Sequence, residues 1–162
     1  RHRNALCDPD LEPEIVSSGG TATHEITGAA PFVTEIQAGS YVFMDGSYRK
    51  VRDDFEAALT LVTTVIHARG RLLITDCGMK ALSFEFGLPT GAELPLACVG
   101  LSEEHGHVLI DKEADLAIVP GDRIELLPSH GDTTINLHEE YNVVRGENVV
   151  ATWPILARGK FK

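Results

Sequence analysis

The feature that most constrains this chain is how often it turns. Signals such as "SSGG" (17–20), "AGS" (38–40), "DGS" (45–47), "ARG" (68–70), "DCG" (76–78), "LPTGAE" (88–93), "VPGD" (119–122) and "RGE" (145–147) punctuate it. Between them lie short runs rich in Val, Ile, Leu and Thr: "YVFMD" (41–45), "LTLVTTVIHA" (59–68), "RLLITDC" (71–77), "HVLID" (107–111), "RIELLPS" (123–129) and "NVVATWPILA" (148–157). Short β-branched runs between turns build strands, and many of them build a sandwich or a barrel. The chain therefore reads as mainly β. "LTLVTTVIHARGRLLITDCG" (59–78) is a hairpin with Arg69 and Gly70 at its turn. Pro120, Gly121 and Asp122 form another turn, and the strand after it runs towards His130. Only "RKVRDDFEAAL" (49–59) combines helix formers with sufficient length, and "CGMKALSFEFGLP" (77–89) has room for one helical turn. The last strand carries Trp153, expected in or near the core. A glycine-rich beginning gives way to a sustained β pattern near residue 45, and a domain boundary is expected there.

Composition removes several function classes. The chain has 162 residues and a formal net charge of −10, so no basic stripe exists to neutralise nucleic-acid or anionic-membrane phosphates. Its apolar runs are too short to span a bilayer. Cys7, Cys77 and Cys98 are odd in number and far apart, which argues against a disulfide framework and for a reducing, cytoplasmic setting. The opening "RHRNALCDPD" has no apolar stretch of a secretion signal and no initiator Met, so a C-terminal piece of a longer chain is expected.

Three stretches carry chemistry. In "VSSGGTATHE" (16–25) glycines let backbone N–H groups approach an anion, and hydroxyls add donors; a plain Gly-Gly turn is the alternative. In "EIQAGSYVFMD" (35–45) a strand is broken by Ala38-Gly39-Ser40, as further anion donors or as a β-bulge. In "LPSHGDTTINLHEEYNVV" (127–144) two strands flank an interruption. If that segment is extended, His130 and Asp132 project to one side. An imidazole nitrogen with a carboxylate oxygen suits a divalent cation, and two protein ligands leave coordination positions open. The alternative is a surface His-Asp pair. His138, Glu139 and Glu140 read as a solvated strand edge.

The order "SSGGTAT", "EIQAGSYVFMD", "TDCGMKALSFEFG", "LSEEHG", "LPSHGDTTINLHEEYNVV" resembles the C-terminal part of the D-threonine aldolase and D-serine dehydratase family, pyridoxal-phosphate (PLP) enzymes of the alanine-racemase fold type. The resemblance implies a C-terminal β-domain, residues 46–162, that carries the metal site. It follows residues 1–45, the last strands of a PLP-binding α/β barrel whose N-terminal part is absent. It implies cofactor contacts at Gly19, Gly20 and Thr21, at Gly39 and Ser40, and at Gln37 beside the pyridine ring. It implies divalent-metal ligands at His130 and Asp132, with Mn²⁺ first and Zn²⁺, Co²⁺ or Mg²⁺ as alternatives. The dehydratase branch carries His-x-Cys here and the aldolase branch His-x-Asp, so Asp132 leans to the aldolase; Thr134 departs from the Pro often found in that branch. The Schiff-base lysine is not among Lys50, Lys80, Lys112, Lys160 and Lys162 and is expected upstream, which would leave this chain alone inactive. The implied intact protein is a homodimeric lyase cleaving small β-hydroxy-D-amino acids to glycine and an aldehyde. The alternatives are a D-serine dehydratase-like ammonia-lyase, and a non-catalytic metal-binding β-barrel module. A cupin-like version of that module would need a His-x-His that "HGD" lacks.

Overall fold

A computed structural model describes residues 13–160; Cys7 and Lys162 lie outside the described residues. The first portion holds two very short strands, β1 (Ser17–Ser18) and β2 (Glu35–Ile36), with helix α1 (His24–Gly28) between them. They pair in parallel, Ser17 opposite Glu35. A parallel pair cannot be joined by a tight turn, and the helical crossover supplies the necessary length.

The second portion is a closed barrel. Its strands are β3 (Leu61–Arg69), β4 (Leu72–Thr75), β5 (Thr90–Gly91), β6 (Leu96–Leu101), β7 (Gly106–Ile110) and β8 (Arg123–Leu127), in the order β3-β4-β7-β6-β5-β8. Every pairing around it is antiparallel. The β3–β4 hairpin turns at Gly70, whose φ of 59° belongs to the left-handed region that glycine enters without penalty. Gly121, at φ 100°, does the same before β8. Alternation along the strands fills the interior: Val65, Leu73, Val108 and Leu126 are fully buried, joined by Cys77, Leu82, Cys98 and Ile124. Each such aliphatic side chain contributes about 1.5–3 kcal/mol by leaving water. Burial pushes the Cys77 thiol up to about 12, with nearby Cys98 adding to the shift, so this cysteine is a core residue and no nucleophile.

After the barrel come helix α2 (Gly131–Ile135) and a separate hairpin of β9 (Glu140–Arg145) and β10 (Asn148–Pro154). Four expectations are corrected. Among the described residues the closing strand pairs only with β9, and Trp153 is 58% exposed, lining an open groove of about 1050 Å³ with Phe43 and Tyr141. "YVFMD" is not a strand: Ser40–Val42 forms a 3₁₀ turn that leads to buried Met44. Residues 49–59 form no helix beyond a 3₁₀ turn at Tyr48–Lys50. The third correction has a visible cause, because Arg52 is drawn into ion pairs with Glu25 and Asp54 that an α-helix would break. Lastly, α2 stands where an extended segment was expected around Asp132. No helix of the described residues is long and apolar enough to cross a membrane.

Candidate metal and anion site

The glycine and threonine loop follows β1 directly. Gly19 takes φ 76°, and a Cβ there would meet the Thr27 side chain at 2.8 Å, so the loop folds back tightly on α1. Gly20 N–H donates to Thr23 Oγ1 at 3.2 Å, and His24 Nδ1 lies 2.9 Å from the Thr21 carbonyl. Thr21 is buried, and its hydroxyl accepts the backbone N–H of Tyr41 at 3.0 Å. That bond brings the second loop, Gly39 and Ser40, against the first. Among the described residues, no hydrogen bond engages the backbone N–H groups of Thr21, Ala22, Gly39 and Ser40. A Cβ at Gly39 would meet nothing within 4 Å, so space lies beside it. Uncommitted amides from two abutting loops fit an anion such as a cofactor phosphate. Gln37 is exposed just after β2, and its carbonyl passes near Gly20.

The next residues connect this loop to the barrel's far end. Asp45, almost fully buried, accepts the N–H groups of Ser47 at 3.0 Å and Tyr48 at 2.8 Å with Oδ1, and that of Gly131 at 2.9 Å with Oδ2. Gly46 N–H donates to the Pro128 carbonyl at 2.9 Å, and Ser47 N–H to that of Ser129 at 3.1 Å. The backbone between His130 and Asp132 is thereby pinned to the segment that carries Gly39 and Ser40. Sequence reasoning missed Asp45. The only signal was the "DGS" turn, which reads as punctuation.

His130 and Asp132 do converge, by a route other than the expected one. His130 is the extended residue preceding α2, with φ −139° and ψ 125°, and Asp132 lies in the first helical turn. Strand alternation therefore does not align them; the change from extended to helical backbone does. Nε2 of His130 stands 3.6 Å from Oδ2 of Asp132. The other ring nitrogen, Nδ1, meets Glu85 Oε1, and the hydrogen bond from His130 holds the Glu85 carboxyl below its ordinary range, helped by Thr133. Asp132 also lines a cleft of about 270 Å³ together with Gly39, Ser40, Val42 and Met44. Tyr141 is raised above its ordinary pKa chiefly by burial, with Asp132's negative charge adding to it. An imidazole nitrogen beside a carboxylate oxygen is a donor pair for a borderline-to-hard divalent cation.

Two other histidines are occupied. His138 Nε2 bonds the Ala81 carbonyl at 2.9 Å, tying the loop after α2 to the barrel. His24, Glu25 and Asp54 converge, but Arg52 lies among them, 2.9 Å from Glu25 and 2.7 Å from Asp54. That arginine lowers both carboxyls and satisfies their charge.

The family model described as "Putative serine dehydratase domain" matches residues 58–144, more than half of the chain. The chain belongs to that family. The matched residues include the whole barrel, His130 and Asp132. The 3-hydroxy-D-aspartate aldolase of Paracoccus denitrificans (strain Pd 1222) is 37% identical over 97% of this chain and 43% of its own length. The D-threonine aldolase structure from Filomicrobium marinum superposes with a TM-score of 0.85 at 31% identity, covering 94% of this chain and 43% of that one. The D-threo-3-hydroxyaspartate dehydratase from Delftia sp. HT23 gives 0.73 at 26% identity, covering 94% and 45%. Solved variants of a dehydratase of that name replace a histidine and, in a metal-free form, a cysteine two positions later. This member of the serine dehydratase-domain family has a histidine and an aspartate at the same spacing. The chain spans about two fifths of the length of these relatives.

Proposed function

We propose that this chain is the C-terminal part of a PLP- and divalent-metal-dependent lyase that cleaves β-hydroxy-D-amino acids, D-threonine aldolase-like, to glycine and an aldehyde. The observation that carries the reading is the shared cleft: Asp132, paired with His130, lines it together with Gly39 and Ser40. The parallel β1–β2 pair with α1 between them has the local form of an α/β-barrel unit, and residues 13–45 are assigned to the end of that barrel. The rest of the described chain is assigned to the β-domain.

When bound, PLP supplies the electron sink and the divalent ion the Lewis acidity for the carbon–carbon cleavage. This chain's residues position both. The backbone amides of Thr21, Ala22, Gly39 and Ser40 would hold the cofactor phosphate. Nε2 of His130 and Oδ2 of Asp132 would hold the cation, leaving its other positions to water and to the substrate's β-hydroxyl. Gln37, at the end of β2, is assigned to the ring side of the cofactor. A carboxylate in the ligand pair shifts preference towards Mn²⁺, with Mg²⁺, Co²⁺ and Zn²⁺ as alternatives.

The second reading, a dehydratase, is favoured by the family description and by the dehydratase structures. Asp132 stands two residues after His130, the spacing at which those dehydratase variants replace a cysteine, and a carboxylate there favours the aldolase reading. The full-length protein given D-threonine, PLP and Mn²⁺ should release glycine and acetaldehyde. Release of 2-oxobutanoate instead would make it a dehydratase. Asp132→Ala should abolish the metal-dependent turnover while leaving the PLP absorbance in place; loss of both together would remove the assigned roles.

A further inference from the structure

We propose that Glu85 is a positioning residue that sets the tautomer and aim of His130 for a divalent cation. The inference rests on the metal reading above and adds a residue that the motif spacing did not identify. Glu85 lies in "SFEFG" (83–87), the stretch that leaves the helical turn at Gly78–Leu82 and passes beneath α2. His130 approaches it from the residue preceding that helix.

The contacts fix the chemistry of the imidazole. An ionised carboxylate only accepts hydrogen bonds, so the Glu85 oxygen beside Nδ1 requires the proton on that nitrogen. A neutral ring protonated at Nδ1 presents a lone pair at Nε2, and Nε2 is the nitrogen 3.6 Å from Asp132 Oδ2. Glu85 is itself held. Thr133 Oγ1 lies 2.8 Å from both Glu85 Oε1 and Ser83 Oγ. Because Glu85 can only accept, the single Thr133 proton goes to Glu85, and the Ser83 hydroxyl donates to Thr133. The Phe86 ring meets the imidazole edge-on, with centroids 4.7 Å apart and planes at 72°, and limits rotation of the ring. The His130 side chain is only 18% exposed, so few other rotamers are open to it. A carboxylate behind a metal-binding histidine raises the basicity of the ligand and fixes its orientation, and removing such a partner costs about 10–100-fold in metal affinity.

The test is a Mn²⁺ titration of the protein by electron paramagnetic resonance, with Glu85→Gln and Glu85→Ala. Glu85→Ala should bind Mn²⁺ about 10–100-fold more weakly than wild type. Glu85→Gln keeps an acceptor oxygen without the charge and should fall between the two. PLP absorbance and the metal-free melting temperature should stay at wild-type values, because Glu85 is a partly exposed residue outside the core. If Glu85→Ala fails to fold, Glu85→Gln carries the comparison. Wild-type affinity in both variants overturns the role of Glu85. A wild-type protein that takes up no Mn²⁺ removes the two-ligand reading beneath it, and the role of Glu85 with it.

Discussion

The barrel of residues 61–127 and the stretch before it, 13–60, differ in how far each satisfies itself. In the barrel every strand finds antiparallel partners on both sides, closure leaves no open edge, and Val65 and Leu73 are fully buried. In the earlier stretch the strands are two residues long and parallel, and Ile15 is 67% and Ile26 80% exposed. Parallel strands depend on cover over both faces, which antiparallel strands do not require. The candidate site lies where the earlier stretch meets α2, just after the barrel's last strand. His130 and Asp132, the candidate metal ligands, sit at the start of that helix, and the earlier stretch carries the uncommitted backbone amides.

If the barrel is the rigid partner, a site where backbone packs against backbone with no room for a Cβ should be among its most sensitive points. Gly78 packs without a Cβ against the 102–105 loop: a Cβ would stand 2.3 Å from the Ser102 carbonyl oxygen and 2.5 Å from the His105 nitrogen. All of these are backbone atoms, held by hydrogen bonds from Met79 to Ser102 and from Lys80 to Glu103, so they cannot rotate aside. Gly78→Ala should therefore cost about 3 kcal/mol in urea unfolding, the upper end for an overpacked site. A loss below about 1 kcal/mol would show that this loop yields, and that the barrel is less rigid than its closure implies.

The junction should respond less. Asp45 uses two oxygens for three N–H groups, two in the earlier stretch and one at the start of α2. Asparagine has one acceptor oxygen, so Asp45→Asn must turn an amide NH₂ either towards Ser47 and Tyr48 or towards Gly131. Leaving one buried donor unmet costs about 1–3 kcal/mol, and about 2 kcal/mol is expected here. Hydrogen exchange should accelerate at Gly131 if the far side is lost, or at Tyr48 if the near side is, because Ser47 N–H keeps the Ser129 carbonyl. Unchanged exchange at both would break the claim that Asp45 joins the earlier stretch to α2.

Legibility in the sequence followed the same division. The barrel hairpin at Arg69-Gly70 and the turn at Pro120–Asp122 were readable because alternation and turn residues are local signals. The glycine loops could be located, but not the bond from Tyr41 to Thr21 that joins them, because the partners are 20 residues apart. His130 and Asp132 converge for a local reason other than the expected one: a helix, not a strand, aligns them. Trp153 was misplaced because burial was inferred from residue type, whereas β9 and β10 pair outside the barrel and leave the ring in the open groove. Asp45 and Glu85 were not legible as site residues, since a lone carboxylate acquires meaning only from residues 86 and 45 positions away.

The smallest effect is the sharpest test of the contrast. Ile26 sits in α1 with 80% of its surface exposed, so truncation to alanine removes little that folding had buried. Alanine also suits a helix slightly better than a β-branched residue, which offsets part of any loss. Ile26→Ala should therefore change stability by less than about 0.5 kcal/mol, the range of ordinary surface substitutions. The matching truncation in the barrel, Leu73→Ala, removes a fully buried side chain and should cost about 3 kcal/mol. Both are measured by urea unfolding of the same protein. A cost at Ile26 approaching that at Leu73 would mean that the α1 face is covered in solution, and that the imbalance between the two regions disappears there.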